Sequence, residues 1–255
     1  MPSEPNSPRD DLVVFDLDLP HGRCVGVEVR EAAHAGHVAT SPPEELDMAK
    51  AFGPSRQASF HAGRRALRLA LADLGVAGGA PLLPDERGAP QVPDGTLGSI
   101  SHKRTRAVGL AARRSSGLSR LSHTGAPAPL LVEEIGVDIE EIRPLRFDIS
   151  PRVLTPAERT QRAQQPVPLR DQFVLERFSL KESFFKAVNH LVGPRISFQA
   201  VEVVAIGRDG RAELRAPWLT DRGLQLQGWL GYPESGFILT SVRLSSSGVT
   251  TPSRP

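Results

Sequence analysis

Apolar and polar positions alternate along Leu12 to Leu19 and again along Cys24 to Arg30, and Pro20-His21-Gly22 separates the two runs. That period of two predicts a pair of strands joined by a turn. Pro43-Glu44-Glu45 reads as the start of a short helix, with acids in the first turn where the helix dipole favours them. From Ser55 to Leu74 the period changes: Phe60, Leu67, Leu71 and Leu74 recur at helical spacing and Gly75 follows as a stop. Leu97 to His102 and Ala107 to Ala112 are the next strands, after a Gly/Pro-rich loop from Gly75 to Gly95. Gly136 to Glu140 alternates again. Thr155-Pro156-Ala157-Glu158 is a capping-box pattern that opens a helix ending near Gln165-Pro166. A long helix spans about Leu169 to Leu191, with Gly193-Pro194 as its stop. Four strands are predicted after it, over Phe198 to Ala205, Ala212 to Ala216, Gln225 to Leu230 and Gly236 to Arg243. The fold class is therefore α+β, each half of the chain pairing one long helix with several antiparallel strands. No short sequence repeat relates the two halves.

Two stretches carry candidate chemistry. In a strand over Gly136 to Glu140, Asp138 and Glu140 project to one face while Val137 and Ile139 project to the other. In the helix over Phe178 to Ala187, Glu182 and Lys186 stand four residues apart on one face. Three carboxylates near an ammonium suit a hard cation such as Mg²⁺, which binds protein carboxylates together with substrate phosphates. Taken singly, each pair reads as a solvated strand edge or a surface salt bridge. Their company argues otherwise. Phe178, Leu180, Phe184, Phe185 and Val188 surround Glu182 with apolar bulk, and Lys181 and Lys186 are two of only four lysines, against twenty-seven arginines.

Composition narrows the class. The chain has 255 residues, 39% apolar and 24% charged, with a formal net charge of +2. Such a balance fits a soluble globular protein and does not require nucleic acid as a partner. Cys24 is the single cysteine, so no intrachain disulfide forms and a reducing compartment fits. No stretch approaches the ~20 apolar residues of a membrane helix, and Met1 to Asp11 lacks the apolar core of a signal peptide. A cytoplasmic location, without membrane association, is the expectation. Residues 1–11 and the Ser/Thr/Pro-rich run 245–255 are expected to be disordered. The Ser/Gly/Pro-rich stretch 114–131 reads as a loop insertion, which divides the chain into an N-terminal half, 12–134, and a C-terminal half, 135–244.

Gly136-Val137-Asp138-Ile139-Glu140, followed by Phe178-Ser179-Leu180-Lys181-Glu182-Ser183-Phe184-Phe185-Lys186-Ala187, resembles the two signature motifs of the 4'-phosphopantetheinyl transferases, in the branch that includes surfactin-type and enterobactin-type enzymes. The resemblance implies two pseudo-symmetric halves with the active site in the cleft between them. It also implies a reaction: the phosphopantetheine arm of coenzyme A moves to a serine of an apo acyl or peptidyl carrier protein, and 3',5'-ADP leaves. By the same resemblance Asp138, Glu140 and Glu182 would bind Mg²⁺ or Mn²⁺, and Lys186 would touch a phosphate. Glu182, or a metal-bound water beside it, would take the serine proton. Arg87-Gly88-Ala89-Pro90 and Ser101-His102 match in order the family's coenzyme-binding segments, so Arg87, Ser101 and His102, with Arg56 and Arg64 from the preceding helix, would meet the coenzyme. His123, in the loop insertion, is a rival to His102. A monomer is implied as well. Phe178 departs from the tryptophan common at its position, and Lys181 receives no role.

Two other readings remain open at this point. One is a different Mg²⁺-dependent phosphotransferase or nucleotidyltransferase, although no G-x-x-x-x-G-K-[ST] loop is present. The other is a non-catalytic arginine-rich binding module, which 5% aromatic content supports poorly.

Overall fold

The computed structural model describes residues 12–77, 79–115, 132–192 and 196–246. The first two runs of alternation form the hairpin β1 (Val13–Leu19) and β2 (Gly22–Glu28). Helices α1 (Glu31–Ala39), α2 (Pro43–Ala49) and α3 (Pro54–Asp73) follow, then strands β3 (Thr96–Lys103) and β4 (Arg106–Arg113). The second half opens on β5 (Glu133–Glu141) and continues through α4 (Ser150–Val153), α5 (Pro156–Gln164) and α6 (Arg170–Val188). It closes with β6 (Glu202–Ile206), β7 (Arg211–Arg215), α7 (Pro217–Thr220), β8 (Leu224–Gly231) and β9 (Phe237–Ser246).

Two antiparallel sheets result, ordered β1-β2-β4-β3 and β5-β9-β8-β7-β6. The long helix of each half covers one face of its own sheet: α3 lies on β2 and β4, and α6 lies on β5 and β9. Apolar side chains decide these pairings. Val25, Val27 and Ala107 meet Leu67 and Leu71 of α3, while Val242 and Leu244 meet Phe184 and Val188 of α6. The opposite faces meet each other. Cys24, Leu97 and Leu110 of the first half share a core with Ile135, Val137, Ile139 and Leu239 of the second. Full burial of such side chains contributes roughly 1.5–3 kcal/mol each, so the halves form one folding unit.

The capping box at Thr155 is present in full: the Glu158 amide donates to Thr155 Oγ1 and the Thr155 amide to Glu158 Oε2. One helix was not predicted, and two expectations are corrected. Helix α1 was not legible because its alanines favour a helix but supply too little apolar area to mark a stripe. Phe198–Ala200 is a 3-10 turn rather than the start of a strand, since Ser197 accepts the Gln199 amide and Phe198 stacks on Phe178. Ser245 and Ser246, expected in the disordered tail, instead close β9, where the Val132 amide donates to Ser246 Oγ. The terminus 1–11, most of the loop insertion with His123, the Gly193-Pro194 stop and the tail from 247 lie outside the described residues. No helix among the described residues is long and apolar enough to cross a membrane.

The β1–β2 turn buries His21 against the second sheet, with Nδ1 2.8 Å from Ser241 Oγ. Burial above all, then the charge of Arg243, lowers its pKa from 6.5 to about 3. Between those values the unfolded chain binds a proton that the folded chain refuses, so stability is full above pH 6.5 and falls as the pH drops toward 3. The slope from this one group approaches about 1.4 kcal/mol per pH unit. Urea unfolding of His21→Gln at several pH values should show a shallower acid slope than the parent chain, and equal slopes would contradict the account.

Candidate active site at the seam of the two sheets

Strands β3 and β5 are edge strands of different sheets, and they lie side by side. Side chains bridge them. The Val137 amide donates to Ser99 Oγ at 3.1 Å, Ser101 Oγ donates to Asp138 Oδ1 at 2.7 Å, and Lys103 Nζ sits 3.0 and 2.6 Å from the two oxygens of Glu140. On β5, Gly136 faces α6 so closely that a Cβ there would stand 1.9 Å from the Ser183 carbonyl oxygen. Asp138 and Glu140 follow on the same face at the strand's period of two. Helix α6 meets them with a polar stripe in place of an apolar one. Ser179 Oγ donates to Asp138 Oδ2 at 2.9 Å, and Lys186 Nζ donates to Asp138 Oδ1 at 2.9 Å and to the Val137 carbonyl at 2.8 Å. Asp138 is thereby held from both halves at once.

Glu182 joins this field. Burial first, then the charge of Asp138, raises its pKa, while Lys186 and Lys103 oppose the shift. Glu140 is also raised, by burial and by Asp138 and Glu182, with the Lys103 hydrogen bond opposing. Three carboxylates therefore feel one another's charge across the seam. Among the described residues no three His, Cys, Asp or Glu side chains converge tightly enough to hold a metal ion as they stand. Lys186 and Lys103 occupy Asp138 and Glu140 in this arrangement.

The Ser101-His102 pair divides across β3. Ser101 turns to Asp138, and His102 turns to the other face, where its Nε2 lies 2.6 Å from Arg56 Nη1. Burial, then Arg56 and Lys186, lowers the His102 pKa to about 4, so the ring is neutral and accepts from the guanidinium. Beside them opens a cavity of about 450 Å³ lined by Gly53, Arg56, Ser59, His102 and Arg104. Arg64 does not line it. Its guanidinium is buried 3.4 Å over the Phe60 ring. Arg87 lies elsewhere too: it donates to the carbonyls of Asn189 and Val192, the orphan acceptors beyond the end of α6. Sequence reasoning missed Lys103, Ser99 and Ser179 as site residues. Lys103 was readable as one of four lysines, adjacent to Ser101-His102; the two serines carried no signal of their own.

Arg56 and Arg104 give the cavity a basic lining of the kind that suits an anionic ligand, and comparison with known proteins fixes the class. The model for the 4'-phosphopantetheinyl transferase N-terminal domain matches residues 43–112, and that for the 4'-phosphopantetheinyl transferase superfamily matches 134–230, one in each half. The chain is 30% identical to 4'-phosphopantetheinyl transferase Svp of Streptomyces mobaraensis, over 82% of this chain and 80% of that protein. It is 32% identical to enterobactin synthase component D of Salmonella typhimurium, over 57% and 54% respectively. A solved structure of a holo-(acyl-carrier-protein) synthase from Bacillus anthracis in complex with CoA (3',5'-ADP) is 27% identical, covers 44% of this chain and 96% of that one, and has a TM-score of 0.37. The chain belongs to the 4'-phosphopantetheinyl transferase superfamily. It is a transferase that moves the phosphopantetheine arm of coenzyme A onto carrier proteins.

Proposed function

We propose that the transfer takes place at this seam, with Asp138, Glu140 and Glu182 as the acidic set, Lys186 as a phosphate contact, and Arg56 and His102 at the coenzyme A cavity. The observation that carries the reading is Asp138: it is gripped by Ser101 from one half and by Ser179 and Lys186 from the other, beside Glu182. A carrier-protein serine is a weak nucleophile at neutral pH and needs a proton acceptor. Glu182 suits that task, because burial and Asp138 raise its proton affinity above that of an ordinary glutamate. Arg56 and Arg104 line the cavity with guanidinium groups that match phosphate oxygens through charge-assisted hydrogen bonds. His102, neutral, orients Arg56. Arg64, stacked over Phe60, lies outside the cavity lining, and Arg87 reaches the coenzyme only by leaving the end of α6.

The donor set fits a hard divalent cation. It is all carboxylate oxygen, the charge of Asp138 adds to burial in raising the proton affinity of both Glu140 and Glu182, and two flexible lysine ammonium groups supply the positive charge it demands. Asp138, Glu140 and Glu182 would hold Mg²⁺, or Mn²⁺, once Lys103 and Lys186 swing aside. A bound cation supplies charge neutralisation for the pyrophosphate and for the leaving 3',5'-ADP. Both sides of the seam come from one chain, which supports a monomer, and the lone buried cysteine supports a reducing, cytoplasmic setting.

The test is mass spectrometry. With coenzyme A and Mg²⁺ the enzyme should add roughly 340 Da to an apo carrier protein, the mass of one covalently attached phosphopantetheine arm. Glu182→Gln should add none while still binding coenzyme A by calorimetry. Full transfer by Glu182→Gln would remove the acceptor role.

A further inference from the structure

We propose that Lys181, which neighbours Glu182 in the chain but points away from the seam, is a positioning residue that sets the rotation of α6 and so the direction of Glu182. Lys181 and Glu158 are both 0% exposed, and Lys181 Nζ donates to Glu158 Oε2 at 2.7 Å and to the Val153 carbonyl at 2.9 Å. Glu158 is fully engaged: Oε2 also accepts the Thr155 amide at 2.7 Å, and Oε1 accepts the Val203 amide at 2.7 Å. One buried pair thus ties α6 to the end of α4, the start of α5 and β6. Separating the partners would strand a buried charge, which is why such pairs hold their geometry.

On an ideal helix Lys181 lies about 200° from Ser179, on nearly the opposite side of α6. Ser179, Ser183 and Lys186 fasten the seam side, to Asp138 and Thr240, while Lys181 fastens the far side. The helix is clamped against rotation. A turn of 10° would carry a carboxylate about 6 Å from the axis through roughly 1 Å, an error that alone can cost about 100-fold in rate.

The first half contains the same device without the chemistry. Arg68 of α3 is buried in a two-point pair with Glu45 of α2, at 2.7 and 2.9 Å, and Glu45 Oε1 accepts the Leu82 amide at 2.7 Å. In both halves a carboxylate of the preceding helix binds a cation of the long helix and a backbone amide of the segment after it. Both cations stand at matching places. Arg68 follows Phe60 and Arg64 in steps of four, with Arg64 stacked 3.4 Å over Phe60. Lys181 follows Phe173 and Arg177 likewise, with Arg177 3.2 Å over Phe173. Yet the α3-facing residues of β2 include Val25 and Val27, which pack with Ala66, Leu67 and Leu71 of α3 in one apolar cluster. An ion pair that recurs where helix and sheet meet through apolar side chains serves helix placement, and in the second half the helix it places carries Glu182.

This inference rests on the assignment of Glu182 to the transfer step. Lys181→Met should lower kcat about 100-fold, with KM and calorimetric affinity for coenzyme A unchanged within about twofold. Glu158→Gln, remote from the seam, should reproduce the kcat loss. Lys181→Arg, which copies the first half, should restore at least about a tenth of the parent kcat. The double variant Lys181→Met/Glu158→Gln leaves no buried charge, so it keeps the test open if a single variant fails to fold. It should lose no more kcat than the worse single variant, because both act through one contact. A folded Lys181→Met or double variant with parental kcat would overturn the proposal, as would a raised KM with kcat intact. Unchanged transfer by Glu182→Gln would instead overturn the site assignment on which it rests.

Discussion

An Asp138→Asn enzyme is expected to transfer phosphopantetheine at least about 100-fold more slowly than the parent while remaining folded. The amide has the shape of the carboxylate but not its charge. Asp138 now accepts from Ser101, Ser179 and Lys186, three donors arranged around two oxygens. Asparagine has one acceptor oxygen, and its NH₂ group would face a donor. Lys186 would lose its counter-charge and turn elsewhere, and Glu182 would lose the neighbour that most raises its proton affinity after burial. The structural cost is smaller, about 1–3 kcal/mol for hydrogen bonds left unmade in a buried place. Rates of carrier mass gain and urea midpoints, measured on the same preparation, separate the two effects. A folded Asp138→Asn enzyme within tenfold of the parent rate would remove Asp138 from the centre of the site.

Gly136→Val should be the most damaging single change to the fold among those considered. A Cβ at Gly136 would stand 1.9 Å from the Ser183 oxygen and 2.8 Å from the Ala187 nitrogen, both backbone atoms of α6. Neither can rotate out of the way, so the helix must lift off β5. The cost should reach or exceed the ~3 kcal/mol upper range for overpacking. Catalysis should fall further than stability, because the lifted helix carries Glu182 and Lys186 with it. Gly109 provides the contrast: a Cβ there would lie 2.2 Å from the Leu67 nitrogen of α3, the long helix of the other half. Gly109→Ala should lower the urea midpoint and yet leave more activity per folded molecule than Gly136→Ala. Equal activity losses would deny the seam its dependence on α6.

What could be read from the sequence was local. Asp138 and Glu140 share a face because a strand repeats every two residues, and Glu182 and Lys186 share a stripe because a helix returns every four, so both pairs were placed correctly relative to themselves. The capping box at Thr155 and Glu158 was legible for the same reason, but that Glu158 also holds a lysine 23 residues away was not. Arg87 illustrates the limit. Its motif pointed to phosphate, yet it serves carbonyls more than 100 residues away at the end of α6, a contact that exists only after both halves have packed. Ser101-His102 shows another: adjacency in a strand sends neighbours to opposite faces, so two residues read as one unit enter two different environments.

The seam of β3 and β5 also bears on solubility. The edge of a sheet is an open template for a strand from another molecule, and proteins must blunt it. Here each sheet blunts the other, since β3 and β5 close off one another's exposed backbone without joining into a single ladder. Serine hydroxyls in place of a run of amide-to-carbonyl bonds keep the strands neighbourly but unzipped. The same juncture that guards against aggregation is what leaves room for acids and lysines to meet.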